Sequence, residues 1–317
     1  MRCLCCGKKL NIQTKDNWHS SCIKKFFGTK TIPEIDISEK TINNIAINNS
    51  TNGIAVTGVQ KKLSLQLSKE NTFRLTIINQ PSGYILKPQT KEYECLPESE
   101  FLIMQMAKES KIDTVPFALI KSKTGEYLYI TKRIDRIIKN NKLYPLGMED
   151  FCQLDNRLTI DKYKGSYERC AKIIEKYSEN KGLDIANLFI RIVFSYAIGN
   201  SDMHLKNFSF IENDLTGKYN LSPTYDMLPT NIIIKEDQEE LALSLNGKKK
   251  NLRRNDFLSF ANTIGLNALA AEKMIDKIIL LENHYINLCK ESYLSEIMKK
   301  DLEKLIINRI KKLKKQI

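Results

Sequence analysis

Gly199-Asn200-Ser201-Asp202-Met203-His204-Leu205-Lys206-Asn207 is the stretch on which the fold turns. Just before it, Leu188, Phe189, Ile192, Val193, Tyr196 and Ala197 recur at helical spacing with a broad apolar face. A helix is therefore predicted to run into the stretch and stop at Gly199. Just after it, residues 207–211 and 218–221 read as a short hairpin bridged by Asn213-Asp214-Leu215-Thr216-Gly217. A second acid follows the hairpin, Asp226 in Ser222-Pro223-Thr224-Tyr225-Asp226-Met227.

Phosphoryl transfer asks few things of a protein. It needs ligands for metal ions, a group that accepts or orients the proton of the attacking hydroxyl, and positive charge against the phosphates. The spacing Asp202-x-x-x-x-Asn207 is that of a kinase catalytic loop. Asp202 is the candidate for the hydroxyl proton. Asn207, starting the predicted hairpin, and Asp226, following it, are candidate magnesium ligands, because magnesium takes hard oxygen donors. Taken singly, a loop Asp or Asn usually caps a helix or a turn. The ordered succession of helix, loop, hairpin and acid is what points to chemistry. His204 has no second His or Cys beside it and is read as orienting or packing. Lys206 either faces the transferred phosphoryl group or is an exposed lysine.

Working outward toward the N-terminus, Leu63, Leu65 and Leu67 alternate with Ser64, Gln66 and Ser68, the pattern of a half-buried strand. Residues 73–78 and Tyr84-Ile85-Leu86-Lys87 supply two more strands, the last ended by Pro88. Residues 98–110 have a helical pattern, and 117–121 with 127–131 predict a hairpin around Lys123-Thr124-Gly125. Lys87 ends a short apolar strand and is the candidate for the α- and β-phosphates. Its positioning acid is Glu98 or Glu100, both early in the following helix, where the helix dipole favours acids in any case. Thr57-Gly58-Val59-Gln60-Lys61-Lys62 precedes the first strong strand, and its glycine allows close backbone approach to phosphate. Residues 29–52 are polar and Asn-rich, a connecting segment. Helices dominate after about residue 148, and the basic run 309–315 reads as a solvated helix end. The order is that of an α+β, bilobal, protein-kinase-like fold: a Cys/His-rich module over 1–28, a β-rich part over 29–147 and a helical part over 148–317.

The 317 residues carry a formal net charge of +13, with 42% hydrophobic and 27% charged residues. That is the composition of a soluble globular protein. No apolar run reaches the ~18 residues of a membrane span, and the N-terminus has no secretory pattern. A cytoplasmic protein without membrane association is expected. Positive charge favours polyanionic partners, although an AT-rich genome, which enriches Lys, Asn and Ile together, gives the same balance. The basic residues are spread along the chain and are not gathered with aromatics on one element, which argues against a dedicated nucleic-acid-binding protein. Cys3-x-x-Cys6 followed by His19-x-x-Cys22 has zinc-ligand spacing. Cys5 could replace a neighbour, and a metal-free, thiol-rich turn packed with Trp18 against the main body is the alternative.

Several of these motifs, namely Thr57-Gly58-Val59-Gln60-Lys61-Lys62-Leu63-Ser64-Leu65, Tyr84-Ile85-Leu86-Lys87-Pro88, Glu149-Asp150-Phe151-Cys152-Gln153, residues 199–208 and Pro223-Thr224-Tyr225-Asp226, occur together. With them the chain resembles the HipA-type serine/threonine kinase toxins of bacterial toxin–antitoxin systems, from about residue 50 to its C-terminal region. The resemblance implies ATP and magnesium as cofactors and phosphorylation of a protein serine or threonine. It also implies growth arrest through a translation component such as an aminoacyl-tRNA synthetase. It assigns Lys87 to the ATP phosphates, Asp202 to catalysis, and Asn207 and Asp226 to magnesium. Lys132-Arg133-Ile134 becomes a hinge whose backbone meets adenine, with Gln153 nearby. The implied partner is a helix-turn-helix antitoxin that represses its own operon, which ties the toxin to DNA indirectly. The chain is expected to lack the family's small N-terminal subdomain, as short HipT-like forms do, so a separate protein equivalent to that subdomain is a further implied partner. The family often carries an autophosphorylated serine three residues before the loop glycine. Here that position is Ala55, while Thr57 matches a second phosphorylated position, so either Thr57 takes the role, or self-inactivation is absent, or an engineered alanine has replaced a serine. Slow self-inactivation is therefore expected, since a phosphate there would add about −2 charge to the loop. The competing reading is a catalytically silent nucleotide- and antitoxin-binding module, against which the intact Lys87, Asp202, Asn207 and Asp226 stand.

Overall fold

The alternating leucines of residues 63–67 form a strand paired antiparallel on both sides within a mixed sheet, with Leu63 and Leu65 buried on one face and Gln66 exposed on the other. The computed structural model describes residues 1–11, 16–35, 62–68, 74–77, 82–139 and 142–314. They divide into two compact units, one made of Met1–Phe101 with Val115–Tyr144 and the other of Leu102–Thr114 with Pro145–Ile317. No described helix is long and apolar enough to cross a membrane.

The first unit begins with helix α1 (Ser20–Phe27), ended by Gly28 in the left-handed conformation. Its six-stranded sheet contains β1 (Glu34–Ile35), β2 (Leu63–Ser68), β3 (Arg74–Ile77), β4 (Tyr84–Lys87), β5 (Phe117–Lys121) and β6 (Tyr127–Lys132), in the order β1-β3-β2-β4-β6-β5. Strand β4 is paired on both sides, Leu86 facing Leu63 of β2 and Ile130 of β6. An inner strand buries its side chains on both faces, which is why Lys87 at its end is only 4% exposed. Helix α2 (Leu96–Glu109) follows β4, and Phe101 on it meets Phe117 of β5 edge to face at 5.7 Å. The N-terminal segment packs on this sheet. Phe26 and Phe27 lie 6.0 and 5.7 Å from the ring of Tyr84. Leu119 of the edge strand β5 donates its N–H to Leu4 O at 2.7 Å, so part of that edge is covered. Strands β7 (Arg136–Lys139) and β8 (Lys142–Pro145) form a separate two-stranded sheet.

The second unit corrects the predicted two-stranded hairpin. Strands β9 (Met148–Asp150), β10 (Ser209–Glu212) and β11 (Tyr219–Leu221) make a three-stranded antiparallel sheet with β10 in the middle. Residues 148–150 were expected to open the helical part; they pair instead with β10. The helices are α3 (Phe151–Leu154), α4 (Tyr167–Tyr177), α5 (Lys181–Ile198), α6 (Thr230–Ile233), α7 (Arg254–Thr263), α8 (Ala268–Leu280), α9 (Glu282–Lys290) and α10 (Glu296–Leu313). Every residue from Leu188 to Ile198 is buried, so α5 is the central helix, touching α4, α8, α10 and β11. It stops at Gly199 as predicted, with φ +72°. That backbone conformation favours glycine, and a Cβ there would stand 2.8 Å from Leu305 Cδ1, so the end of the leucine side chain would also have to shift.

The basic C-terminal run is solvated at Lys311, Lys312 and Lys314, as expected, but not at Arg309. Arg309 is nearly buried, with Nη1 2.6 Å from Glu240 Oε1, its guanidinium 4.8 Å from the centre of the Tyr196 ring and Nη2 donating to Asn231 Oδ1 at 3.2 Å. Lys312 reaches the same Glu240 oxygen at 3.0 Å. These two cations tie α10 to the loops behind the Asp202 stretch, Arg309 from a nearly buried position and Lys312 from the exposed face.

Candidate active site

In the second unit the chain after Gly199 is held at nearly every backbone group. Asn200 Oδ1 accepts from Asp202 N–H at 3.0 Å, and Asp202 O accepts from His204 N–H at 2.8 Å. Ser201 N–H donates to Thr230 Oγ1 at 2.7 Å, and its hydroxyl donates to Asp237 Oδ2 at 2.5 Å. Asn231 completes the brace, donating to Ser201 Oγ at 3.2 Å and to Glu239 O at 2.9 Å. Tyr167 OH donates to Met203 O at 3.1 Å. The loop is thus a built element that presents the carboxylate of Asp202, about one-third exposed.

Asn207 does not start the hairpin; it ends a 3-10 turn, Leu205–Asn207, and the strand begins at Ser209. Its amide nitrogen donates to Asp202 O at 2.7 Å. That bond fixes the amide with Oδ1, its acceptor atom, turned away from the Asp202 carbonyl. Asp226 follows β11 and has φ +55°, a left-handed conformation uncommon outside glycine. The residues before it are pinned. Buried Arg191 donates to Ser222 O at 2.7 Å, and Thr224 N–H donates to Asp113 O at 2.8 Å. Burial lowers Arg191 to about 10, with Asp113 and Asp184 opposing, so it stays charged at neutral pH. Tyr225 OH reaches Ser209 Oγ at 2.5 Å and donates to Lys206 O at 3.2 Å, joining the Asp226 segment to the catalytic-loop candidate. Burial raises the Tyr225 phenol pKa, and the carboxylates of Asp226 and Asp150 add to the rise.

The remaining expected residues divide. His204 is buried, its Nε2 3.9 Å from Asp202 Oδ1 and its ring edge-on to Tyr163 at 4.9 Å. Lys206 Nζ donates to Asp150 Oδ2 at 2.6 Å. Gln153 is exposed and closes a capping box with Asp150, accepting from Asp150 N–H at 3.1 Å. Sequence reading missed Tyr163, whose phenol donates directly to Asp202 Oδ1. Burial raises the Tyr163 pKa first, and the Asp202 charge raises it further. Nothing in the sequence near Tyr163 signals this, because the contact joins residues far apart in the chain.

In the first unit Lys87 and Glu100 form a buried ion pair, Nζ to Oε1 2.6 Å, with the ammonium 5.2 Å from the centre of the Tyr129 ring. Of the two acids left open by sequence, Glu100 is therefore Lys87's partner. Glu98 points elsewhere. Its Oε2 is buried with no hydrogen-bond partner, and burial pushes its carboxyl up to about 7, against a backbone hydrogen bond and with Glu94 adding. The neutral carboxyl is favoured in the folded chain. Its contribution is therefore full below the ordinary value of 4.5 and is lost as pH rises through about 7. Glu98→Gln is expected to be more stable than the parent above pH 7, with the difference vanishing below pH 4.5; urea midpoints across that range measure it. In the hinge candidate, the N–H groups of Lys132 and Arg133 are already spent on Pro116 O and Gly83 O, at 2.9 and 3.0 Å. Burial lowers the Lys132 pKa. Ile134 is half-buried. Thr57, Gly58, Val59 and Gln60, with Ala55, lie outside the described residues. At the N-terminus, Cys3, Cys6, His19 and Cys22 bring their ligand atoms within 4.8 Å of one another.

A mixed antiparallel sheet with a buried lysine–glutamate pair, followed by a helical unit carrying an Asp-bearing loop, defines a protein-kinase-like α+β fold. The chain belongs to the HipA-like C-terminal domain family, whose model matches residues 54–283. It is 29% identical over 274 residues to a protein of Haemophilus influenzae named as a candidate kinase, covering 77% of each chain. It is 32% identical over 211 residues to Y4dM of Sinorhizobium fredii, also named as a candidate kinase, covering 62% of this chain and 49% of that one. Among solved structures it superposes on HipA of Shewanella oneidensis, in a complex with HipB and operator DNA, with a TM-score of 0.68 and 18% identity over 82% of this chain and 65% of that one. It also superposes on the proinflammatory kinase CtkA of Helicobacter pylori, with a TM-score of 0.54 and 16% identity over 79% and 93% of the two chains.

Proposed function

We propose that the protein is an ATP- and magnesium-dependent serine/threonine protein kinase acting as the toxin of a toxin–antitoxin system. The observation that carries this reading is the Asp202 loop, with its partly exposed carboxylate, its braced backbone and the amide of Asn207 fixed by Asp202 O. Asp202 accepts the proton of the acceptor hydroxyl as its oxygen attacks phosphorus. Asn207 Oδ1 and the Asp226 carboxylate hold magnesium, which when bound neutralises charge on the phosphates. Lys87, kept in place by Glu100, neutralises the α- and β-phosphates. Thr57, Gly58, Val59 and Gln60 are assigned to the phosphates by the family resemblance, Ile134 and Gln153 serve adenine recognition, and Lys206 is steered by Asp150. His204 packs against Tyr163 and orients Asp202. The family and the named relatives support the kinase reading. A translation component such as an aminoacyl-tRNA synthetase is the protein substrate, and a helix-turn-helix antitoxin is the partner, with contact to DNA through it. The HipB and operator DNA of the Shewanella complex support that partner class. A separate small protein equivalent to the N-terminal subdomain is a third component. The test is transfer of labelled phosphate from ATP, with magnesium, into a lysate of the parent bacterium. A discrete labelled protein that depends on Asp202 is expected. ATP binding with no Asp202-dependent label would instead support a silent nucleotide- and antitoxin-binding module.

Tyr163 carries a second prediction. Its phenol donates to Asp202 Oδ1 and so competes with a substrate hydroxyl for the Asp202 carboxylate. Tyr163→Phe removes that competitor and keeps the ring against His204. The expected result is a rise of about 3–10-fold in kcat/KM for the acceptor protein, the scale of one partly exposed hydrogen bond to a charge, with KM for ATP unchanged. A fall in kcat with an altered pH profile would mean that Tyr163 positions Asp202 for the reaction.

A further inference from the structure

Two ligand-bearing elements meet near the N-terminus. Cys3 and Cys6 lie on a tight turn in which Gly7, at φ +70°, donates to Cys3 O at 2.9 Å while Cys3 N–H donates to Lys8 O at 2.9 Å. His19 is the residue before α1 and Cys22 lies in its first turn, so the two sit on one face at a spacing of three. The sulfurs of Cys6 and Cys22 stand 3.4 and 3.8 Å from His19 Nδ1. The fully buried Cys3 sulfur accepts the His19 backbone N–H at 3.4 Å. A tetrahedral ion with bonds of about 2.3 Å to sulfur and about 2.0 Å to nitrogen holds its ligands about 3.5–3.8 Å apart, and these separations match. His19 Nε2 faces Lys9 O at 3.3 Å. A proton on Nε2 directed at that carbonyl leaves the Nδ1 lone pair toward the three sulfurs, the outer contact that orients a metal-bound histidine. Cys5, which by spacing alone could replace a neighbour, is not among the four.

We infer that Cys3, Cys6, His19 and Cys22 bind one zinc ion in a closed tetrahedral site of three thiolates and one imidazole. Three soft sulfur donors with one nitrogen select zinc over magnesium or calcium. Four protein ligands leave no open position, so the ion is structural and not catalytic. Its work is local to the first unit. It ties the turn to the start of α1 and thereby holds Trp18 against Phe26 and Phe27, which in turn lie against Tyr84, the first residue of the strand that ends in Lys87. Binding releases the thiol protons, so affinity falls as pH is lowered.

Native mass spectrometry of the full chain is expected to give one zinc per molecule. Cobalt substitution is expected to give the intense visible bands of a tetrahedral sulfur-ligated ion. Cys22→Ser should lose the metal, whereas Cys5→Ser should keep one equivalent. Because Cys22→Ser could also unfold the segment, the unmodified chain provides a second measurement. Chelation should release zinc and make the Cys3, Cys6 and Cys22 thiols alkylatable, and zinc should restore their protection. A folded chain, expressed and purified with zinc supplied, that contains no zinc and gives no tetrahedral cobalt spectrum would overturn the inference. Loss of metal in Cys5→Ser with retention in Cys6→Ser would overturn the ligand assignment.

Discussion

Asp202→Asn is expected to lower phosphoryl transfer by about 10³-fold, within the range that a positioned general base contributes. The substitution keeps the shape of the side chain and removes its ability to take a proton. It should leave the loop intact, because the bonds that hold the loop use the backbone of residue 202: its N–H to Asn200 Oδ1, and its carbonyl to His204 N–H and Asn207 Nδ2. The side chain is about one-third exposed, so little packing is at stake. The variant should therefore melt with the parent and bind ATP with unchanged affinity. Those two controls, run beside the transfer assay, separate chemistry from folding. Transfer within a few-fold of the parent would remove Asp202 from the reaction.

Much of this site was legible because its signals are local. The apolar spacing of α5, the glycine that must end it and the Asp-x-x-x-x-Asn interval all lie within 20 or so residues, about the reach over which a helix and its cap are specified. Lys87 was legible for the same reason, as the polar end of a short apolar strand. Its partner was not. Glu98 and Glu100 are two residues apart in the first turns of α2, and only the docking of that helix on the sheet decides which faces the lysine. Strand β9 was missed because Met148-Glu149-Asp150 has no apolar alternation; it is a strand only through pairing with β10, about 60 residues on. Only the near-burial of Arg309 in the otherwise solvated basic run of α10 left no sign in the sequence, because composition shows a cation and not its partner. Glu240, which holds both Arg309 and Lys312, comes from a loop far upstream. Tyr163 belongs to the same class: a contact set by tertiary packing leaves no periodic trace.

Lys87→Met is expected to destabilise the protein by about 3–5 kcal/mol, the scale for removing one partner of a buried ion pair. The side chains of Lys87 and Glu100 are 4% and 1% exposed, so the Glu100 carboxylate would be left without its cation and without water. Methionine fills the lysine stem's volume, so little of the loss comes from packing. If the uncompensated carboxylate is the cause, Lys87→Met/Glu100→Leu should recover most of the stability, since an apolar pair of similar volume often replaces a buried ion pair at little cost. Activity should not recover, because no ammonium remains for the nucleotide phosphates. Urea denaturation of the parent, the single variant and the double variant gives the first comparison, and phosphate transfer from ATP gives the second. A double variant as unstable as the single would place the cost in packing around β4. A double variant that regains transfer would remove Lys87 from phosphate binding and leave the pair a purely structural part of the sheet.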